Sequence, residues 1–400
     1  MNIYILNIRS VVLIIPTLFL MLNACRKDMP ELERPTDYPG GNFEEVFETF
    51  WNGMNNNYVF WDIDTTDWDQ VYRRYQPIFA TMNINDTADI RRSYTYFRTM
   101  TNGLVDSHYR LRFRSTILQD SATISPASRR MQQREDFRNP ISPNYFLNTL
   151  PLRDLDSGAS RALVNEPNGS QYFAVSGTIS EGIVYLYFNV FDLKRLYESS
   201  AANTASYKEV FDNFFTRTLG EEQPRGIIID VRNNGGGNLA DLDFLLGRMI
   251  SSPLHFGYTK SKLSNNRLDY TPWAPAHVNP ATDAKQITSP IVLLADRYSA
   301  SMSEITALAI QAMPNGHFVG ERTWGAMGPL TGNATYNAGQ FVTAFMSEVY
   351  TSSLQIKALD DRNYEGIGIS PDVMVTVNTE SLATGRDAQL EAAIQLINRQ

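Results

Sequence analysis

Three short segments carry side chains whose type and setting could cut an acyl bond. The first is Ser299-Ala300-Ser301-Met302-Ser303-Glu304, which follows the apolar run Pro290–Ala295. A serine where a helix begins can serve as a nucleophile, because unpaired N–H groups and the helix dipole stabilise a developing oxyanion there. Ser301-x-x-Glu304 is equally a capping box, whose task is only to start a helix. The second segment is Arg232-Asn233-Asn234-Gly235-Gly236-Gly237, after the apolar run Gly226–Val231. Backbone without side chains lets a substrate carbonyl approach and take an N–H bond. A tight strand-to-helix turn needs the same glycines. No Gly-Lys-Ser/Thr follows, so this is no phosphate loop. The third is Asp106-Ser107-His108, holding one of only four histidines. His108 could act as a general base or be an ordinary surface or core histidine. His255, His277 and His317 have no catalytic neighbours in sequence and read as structural.

Composition narrows the classes. The 400 residues are 43% hydrophobic and 20% charged, enough for one or two cores. A net charge of −8 with no basic stripe argues against nucleic acid as a partner. Neither His-Glu-x-x-His nor Cys-x-x-Cys occurs, so no metal and no cofactor is expected.

The elements around these segments follow from periodicity. Residues 1–24 read as a secretory signal: Val11–Leu22 is apolar, interrupted by Pro16, and too short to span a membrane comfortably. It ends Leu22-Asn23-Ala24-Cys25, which resembles a lipoprotein signal box. Cys25, the sole cysteine, would then be lipidated and tie the chain to a membrane. Residues 25–41 are polar and rich in Pro and Gly, and read as a tether. Residues 42–114 form a helical domain, with apolar side chains at helical spacing over 43–54, a second helix capped by Asp67, and a third around 88–101. Residues 115–172 are a variable insert, a lid or a degenerate PDZ-like module, with 117–146 looping over the surface. From 173 to 400 the pattern is α/β. Strands are expected at Ile183–Val190, 226–231, 290–295, 341–345 and 373–377, and helices at 205–219, 239–250 and from Ser301 to Met313.

Jointly these segments resemble the C-terminal processing peptidase (tail-specific protease) family of serine peptidases. Asp230–Gly237, Ser299–Glu304, Gly320-Glu321-Arg322-Thr323-Trp324-Gly325 and Gly366-Ile367-Gly368-Ile369-Ser370-Pro371-Asp372 look like its signatures, in its order. The resemblance implies a crotonase/ClpP-like α/β core with an N-terminal helical domain. One variant of the family uses a lysine base; the matching position, 25 residues after Ser301, is Ala326. The tricorn-type variant uses a histidine preceded by a serine, and a glutamate before the last signature; Ser107, His108 and Glu365 fit. The implied site is therefore Ser301 as nucleophile and His108 as base. Ser107 and Glu365 would orient them, and the Gly236 and Met302 amides would hold the oxyanion. The implied partners are peptides or unfolded proteins, and the implied location is the bacterial cell envelope. Two rivals stand beside this reading. One is an inactive relative that only binds peptides. The other is a structural or glycan-binding lipoprotein, disfavoured because most of the Tyr and Trp residues fall at helical, core-type spacing.

Overall fold

The computed structural model describes residues 40–135, 137–180, 182–331 and 339–400. The signal segment, Cys25 and most of the tether lie outside the described residues. No helix of the described residues is long and apolar enough to cross a membrane.

The chain opens with helices α1 (Phe43–Asn57), α2 (Trp68–Phe79) and α3 (Thr87–Met100). Asn42, Asp67 and Asp86 cap them, each side chain taking a backbone N–H of the first turn. Their apolar stripes meet in an aromatic core. The Phe50 and Phe97 rings pack edge to face at 5.0 Å, and Phe43 does the same with Phe345 at 5.5 Å. Each fully buried Phe contributes about 1.5–3 kcal/mol. Phe345 belongs to a distant stretch. Strand β1 (Arg110–Phe113) pairs antiparallel with Met346–Tyr350, so the helical region shares its core with the far end of the chain. The stretch 341–345, expected as one strand, is Gln340–Phe341 followed by a turn, in which the Thr343 hydroxyl accepts the Phe345 and Met346 amides.

The main sheet is mixed and seven-stranded. It contains β2 (Ser160–Asn165), β3 (Gln171–Ile179), β4 (Ile183–Phe188), β5 (Gly226–Asp230), β6 (Ile291–Ala295), β7 (Gly316–Gly320) and the short β8 (Val373–Met374). Strands β4 to β8 run parallel, and β2 and β3 are antiparallel additions. The sheet therefore begins at Ser160, ahead of the expected boundary at 173. Both faces are covered, which is why the central strands are apolar throughout. Val184, Leu186 and Phe188 face α4 (Ala205–Leu219) and α5 (Met302–Gln311), whereas Ile183, Tyr185 and Tyr187 face the other way.

That second face is closed by two elements: the last helix, α6 (Ala388–Asn398), and the insert. The polar segment 117–146 is thus not a surface loop. It contains a helix, Pro126–Gln132, and the insert buries Ile141, Tyr145 and Phe146 against the sheet. The Phe146 ring lies flat on Tyr187 at 3.9 Å. The helix expected over 239–250 breaks into Asp241–Leu245 and a single turn at Gly247–Met249, where the Asn279 carbonyl occupies the place of a side chain on Gly247.

A buried ionic network ties these layers together. The Arg232 guanidinium meets Asp230 at 2.5 Å and Asp387, the N-cap of α6, at 2.8 Å. Tyr185 donates to Asp230 at 2.8 Å and Tyr145 of the insert to Asp387 at 2.6 Å. Removing the cation would leave two carboxylates buried without their partner. Arg232→Met is expected to lower the unfolding free energy by about 3–5 kcal/mol, read from urea denaturation; a change under about 1 kcal/mol would show the network to be dispensable.

Candidate active site

Ser301 stands where β6 turns into α5, and the turn is pinned from below. The Ser299 hydroxyl donates to the Val231 carbonyl at 2.7 Å and accepts the Asp296 amide at 2.9 Å. The Ala300 amide and the Ser303 hydroxyl both donate to the Asn234 carbonyl, at 3.0 and 2.8 Å. The nucleophile turn is thereby clamped to the glycine turn of β5. At the junction Ser301 has φ +56° and ψ −115°. An ordinary N-cap residue sits in the extended region. Holding a serine at positive φ costs about 1–3 kcal/mol, and such strain gathers at functional sites. The sharp strand-to-helix turn that presents a nucleophile in hydrolases is built alike. The capping reading does not account for this strain.

Glu304 fixes the next segment. Its buried carboxylate accepts the Ser301 amide at 3.0 Å, the Thr323 hydroxyl at 2.6 Å and the Gly325 and Ala326 amides at 2.7 and 2.6 Å. Burial raises its pKa, and these four donors oppose the rise. Ala326 is itself buried, and among the described residues no lysine lines the cavity over Ser301.

His108 reaches the same cavity from the helical region. The cavity holds about 660 Å³, and His108, Ser301 and Met302 are in its wall. The turn carrying His108 is held by the helices: Asp64 accepts the Val105 amide at 2.8 Å and the Tyr58 hydroxyl at 2.6 Å, and Tyr58 accepts the Asp106 amide at 3.2 Å. The buried Nδ1 of His108 has no hydrogen-bond partner. Ser301 and His108 share the wall without a hydrogen bond between them; in unliganded sites such bonds are often long and tighten when substrate binds.

Two buried carboxylates stand behind the imidazole. Asp106, His108 and Glu365 each present a ligating atom, all within 4.8 Å of one another. Asp106 accepts the His108 amide and both the amide and hydroxyl of Ser352, at 2.8, 2.8 and 3.1 Å. Glu365 accepts the Ser107, Met327 and Gly328 amides at 2.7, 2.7 and 2.9 Å. Six protein donors occupy most of the lone pairs that a cation would need. Burial raises both pKa values, Asp106 to about 6 and Glu365 well above the usual range, and the charge of Asp106 adds to the rise at Glu365. His108 is pushed the other way, down to about 4, by burial and then by the nearby Arg110. That direction favours the neutral imidazole, the form in which a histidine can accept a proton.

Two expectations need correction. Gly236 lies against Ser301, but its amide is donated to Asn234 Oδ1 at 2.9 Å and so is not open to an oxyanion. The glycine turn faces the cavity through Gly235 and Gly237 instead. The Met302 amide is the first of the helix and has no intrahelical acceptor. Ser107 meets Glu365 through its backbone N–H, while the residue lines a separate cavity beside Arg130, Arg322 and Trp324. Asp106 and Ser352 escaped the sequence reading as parts of the site. Asp106 had a signal, since an Asp two residues before a His readily accepts that residue's amide; Ser352 had none. His255 and His277 form a cross-strand pair, their rings 5.1 Å apart, and His317 bonds Gln400; none lines the cavity.

Comparison with known proteins bears on the fold and the family. Residues 185–375 match peptidase family S41, and residues 39–86 match the tricorn protease C1 domain. Tricorn protease homolog 1 of Streptomyces coelicolor is 29% identical over 177 residues, covering 43% of this chain and 14% of that protein. The nisin-resistance protein of Lactococcus lactis is 26% identical over 182 residues, covering 43% and 53%. The matches to tricorn proteins span only 14–20% of their length. Among solved structures, mature CPAF in complex with lactacystin superimposes with a TM-score of 0.62 at 12% identity, over 90% of this chain and 99% of that one. A candidate peptidase of Parabacteroides merdae gives 0.65 at 23%, over 89% and 96%. With the mixed α/β core, the N-terminal helices and both matched segments in sequence order, residues 185–375 carry the core of peptidase family S41, and residues 39–86 ahead of it match the tricorn C1 domain.

Proposed function

We propose that the protein is a serine peptidase of the Ser/His type. The carrying observation is one cavity wall that holds a strained serine at a helix start and a neutral histidine backed by carboxylates. His108 takes the proton of the Ser301 hydroxyl as its oxygen attacks a peptide carbonyl. The Met302 amide and an amide of the Gly235–Gly237 turn receive the oxyanion. His108 then gives the proton to the leaving amine, and water repeats the cycle on the acyl-enzyme. Asp106 and Glu365 hold the backbone of the turn that carries the imidazole, through the His108 and Ser107 amides.

The first test is cleavage of a mixed peptide library by the full chain and by Ser301→Ala and His108→Ala. Losing one general acid–base is expected to lower kcat/KM about 10²–10⁴-fold, with the circular dichroism spectrum unchanged. An inert parent that a fluorophosphonate fails to label at Ser301 would identify a peptide-binding relative instead.

The depressed pKa of His108 sets the pH dependence. The base works when neutral, so activity is lost as pH falls through the pKa of the folded enzyme, about 4. At pH 5 about nine-tenths of the imidazole is neutral, against about 3% for an unperturbed histidine. The acid limb of kcat/KM should therefore lie near pH 4; a limb at 6.5 would contradict the buried, neutral base.

We propose further that the mature protein is anchored at the bacterial envelope by lipid on Cys25. The support is the apolar run ending at Leu22-Asn23-Ala24-Cys25. Radiolabelled palmitate should enter the parent and not Cys25→Ser; equal labelling would remove the proposal.

A further inference from the structure

Among the described residues, the cavity over Ser301 has a single permanently charged side chain in its wall, Arg110. Among the described lining residues the other titratable group is His108, and none is an acid. Arg110 is two residues beyond His108 on β1, so its backbone is fixed by the ladder to Met346–Tyr350. Its side chain is held in one pose. The guanidinium carbon lies 4.6 Å from the centre of the Tyr350 ring, and Nη2 meets Glu348 at 3.3 Å. Glu348 does not neutralise it, because the same carboxylate is also 3.3 Å from Arg112. Two guanidinium groups share one anion, which leaves one positive charge at the cavity. Arg110 Nε is buried and donates to nothing. That N–H is closed to solvent, so what Arg110 brings to the acid-free cavity is its charge and its Nη donors.

We propose that Arg110 is a specificity-determining residue that takes a carboxylate of the substrate in this cavity. The proposal rests on the peptidase reading and adds the substrate chemistry to it. The tethered guanidinium offers its remaining Nη donors to the carboxylate, charge-assisted bonds in a fixed plane that favour arginine over lysine there. The carboxylate is supplied either by an acidic side chain near the scissile bond or by the free C-terminus of the peptide. The apolar remainder of the wall, including Met302, Ile305 and Leu354, suits the neutral residues beside it.

The test uses two peptide sets. In one, C-terminally amidated peptides carry Glu in place of Gln at each position in turn. In the other, all-Gln peptides carry a free or an amidated C-terminus. For each pair the ratio of kcat/KM is compared between the parent and Arg110→Met, whose stem can still lie on Tyr350. A ratio cancels any general loss of activity. The parent should favour the carboxylate member of at least one pair about tenfold or more, and Arg110→Met should bring that ratio to about one. Arg110→Lys should retain part of the preference. The first set responding identifies a side chain; the second identifies a chain end. A parent ratio near one in every pair, or a preference that survives Arg110→Met, overturns the proposal. The same pairs are titrated calorimetrically against Ser301→Ala with and without Arg110→Met. If the parent cleaves nothing while this binding preference is present and needs Arg110, the catalytic reading fails and the carboxylate site stands. If cleavage occurs without any preference, the reverse holds.

Discussion

Gly236 touches Ser301 so closely that no side chain could stand between them. A Cβ on Gly236 would lie 2.6 Å from the Ser301 Cβ and 2.7 Å from the Met302 nitrogen. The contact joins the turns at the carboxyl ends of β5 and β6, neighbouring parallel strands in register from Ile227 and Ile291 to Asp230 and Leu294. Ligand sites of open α/β sheets lie at such ends. The closeness lets Asn234 accept from Ala300 and Ser303, and those bonds help hold Ser301 at a positive φ that an isolated turn would relax. The strained serine, the helix start and the glycine-lined wall thus share one cause: two turns packed backbone to backbone.

Buried acids serve as the struts around that contact. Glu304, Glu365, Asp106 and Asp387 lie under segments that have little regular structure to satisfy their amides. A carboxylate accepts several bonds in a fan, so one side chain can tie together residues far apart in sequence. Glu304 joins Ser301 to Thr323, Gly325 and Ala326, and Glu365 joins Ser107 to Met327 and Gly328. The cost is electrostatic. Burial drives these pKa values upward, and only the donors and Arg232 hold the acids toward their charged form. Near His108 the balance takes another sign, since Arg110 and burial together keep the imidazole neutral.

The strands of the main sheet and the helices were readable from sequence because burial on both faces gives unbroken apolar runs, and single-sided helices give a 3.6-residue period. The run 226–231 and the stripe at Phe43, Phe47 and Phe50 are examples. The insert was not readable. Its buried residues, Ile141, Tyr145 and Phe146, sit at no regular spacing within a polar stretch, and they earn burial only against a sheet face formed elsewhere. The site was legible to the level of residues but not of groups. Ser301 and His108 do reach one cavity. That Ser107 uses its amide rather than its hydroxyl, and that Gly236 gives its amide to Asn234, depend on backbone orientation that no spacing encodes. Arg110 and Ser352 join the site through tertiary contacts alone.

The two halves of the site come from different cores. Ser301 belongs to the main sheet, whereas His108 hangs from a turn that Tyr58 and Asp64 support. Their relative placement rests on long-range ties, among them β1 with Met346–Tyr350, Phe345 against Phe43 of α1, Asp106 with Ser352, Ser107 with Glu365, and Asp62 with Lys260 and Gln355. Local opening of proteins follows such boundaries, with free energies below that of global unfolding. Separation of the helical region would therefore withdraw His108 and Arg110 together, since both lie on the same six-residue stretch with Phe113. The sheet, closed on both faces by its own helices, would persist. His108 and Arg110 are thereby coupled to one folding unit, and Ser301 and Met302 to the other, so the cavity is complete only when the two are docked.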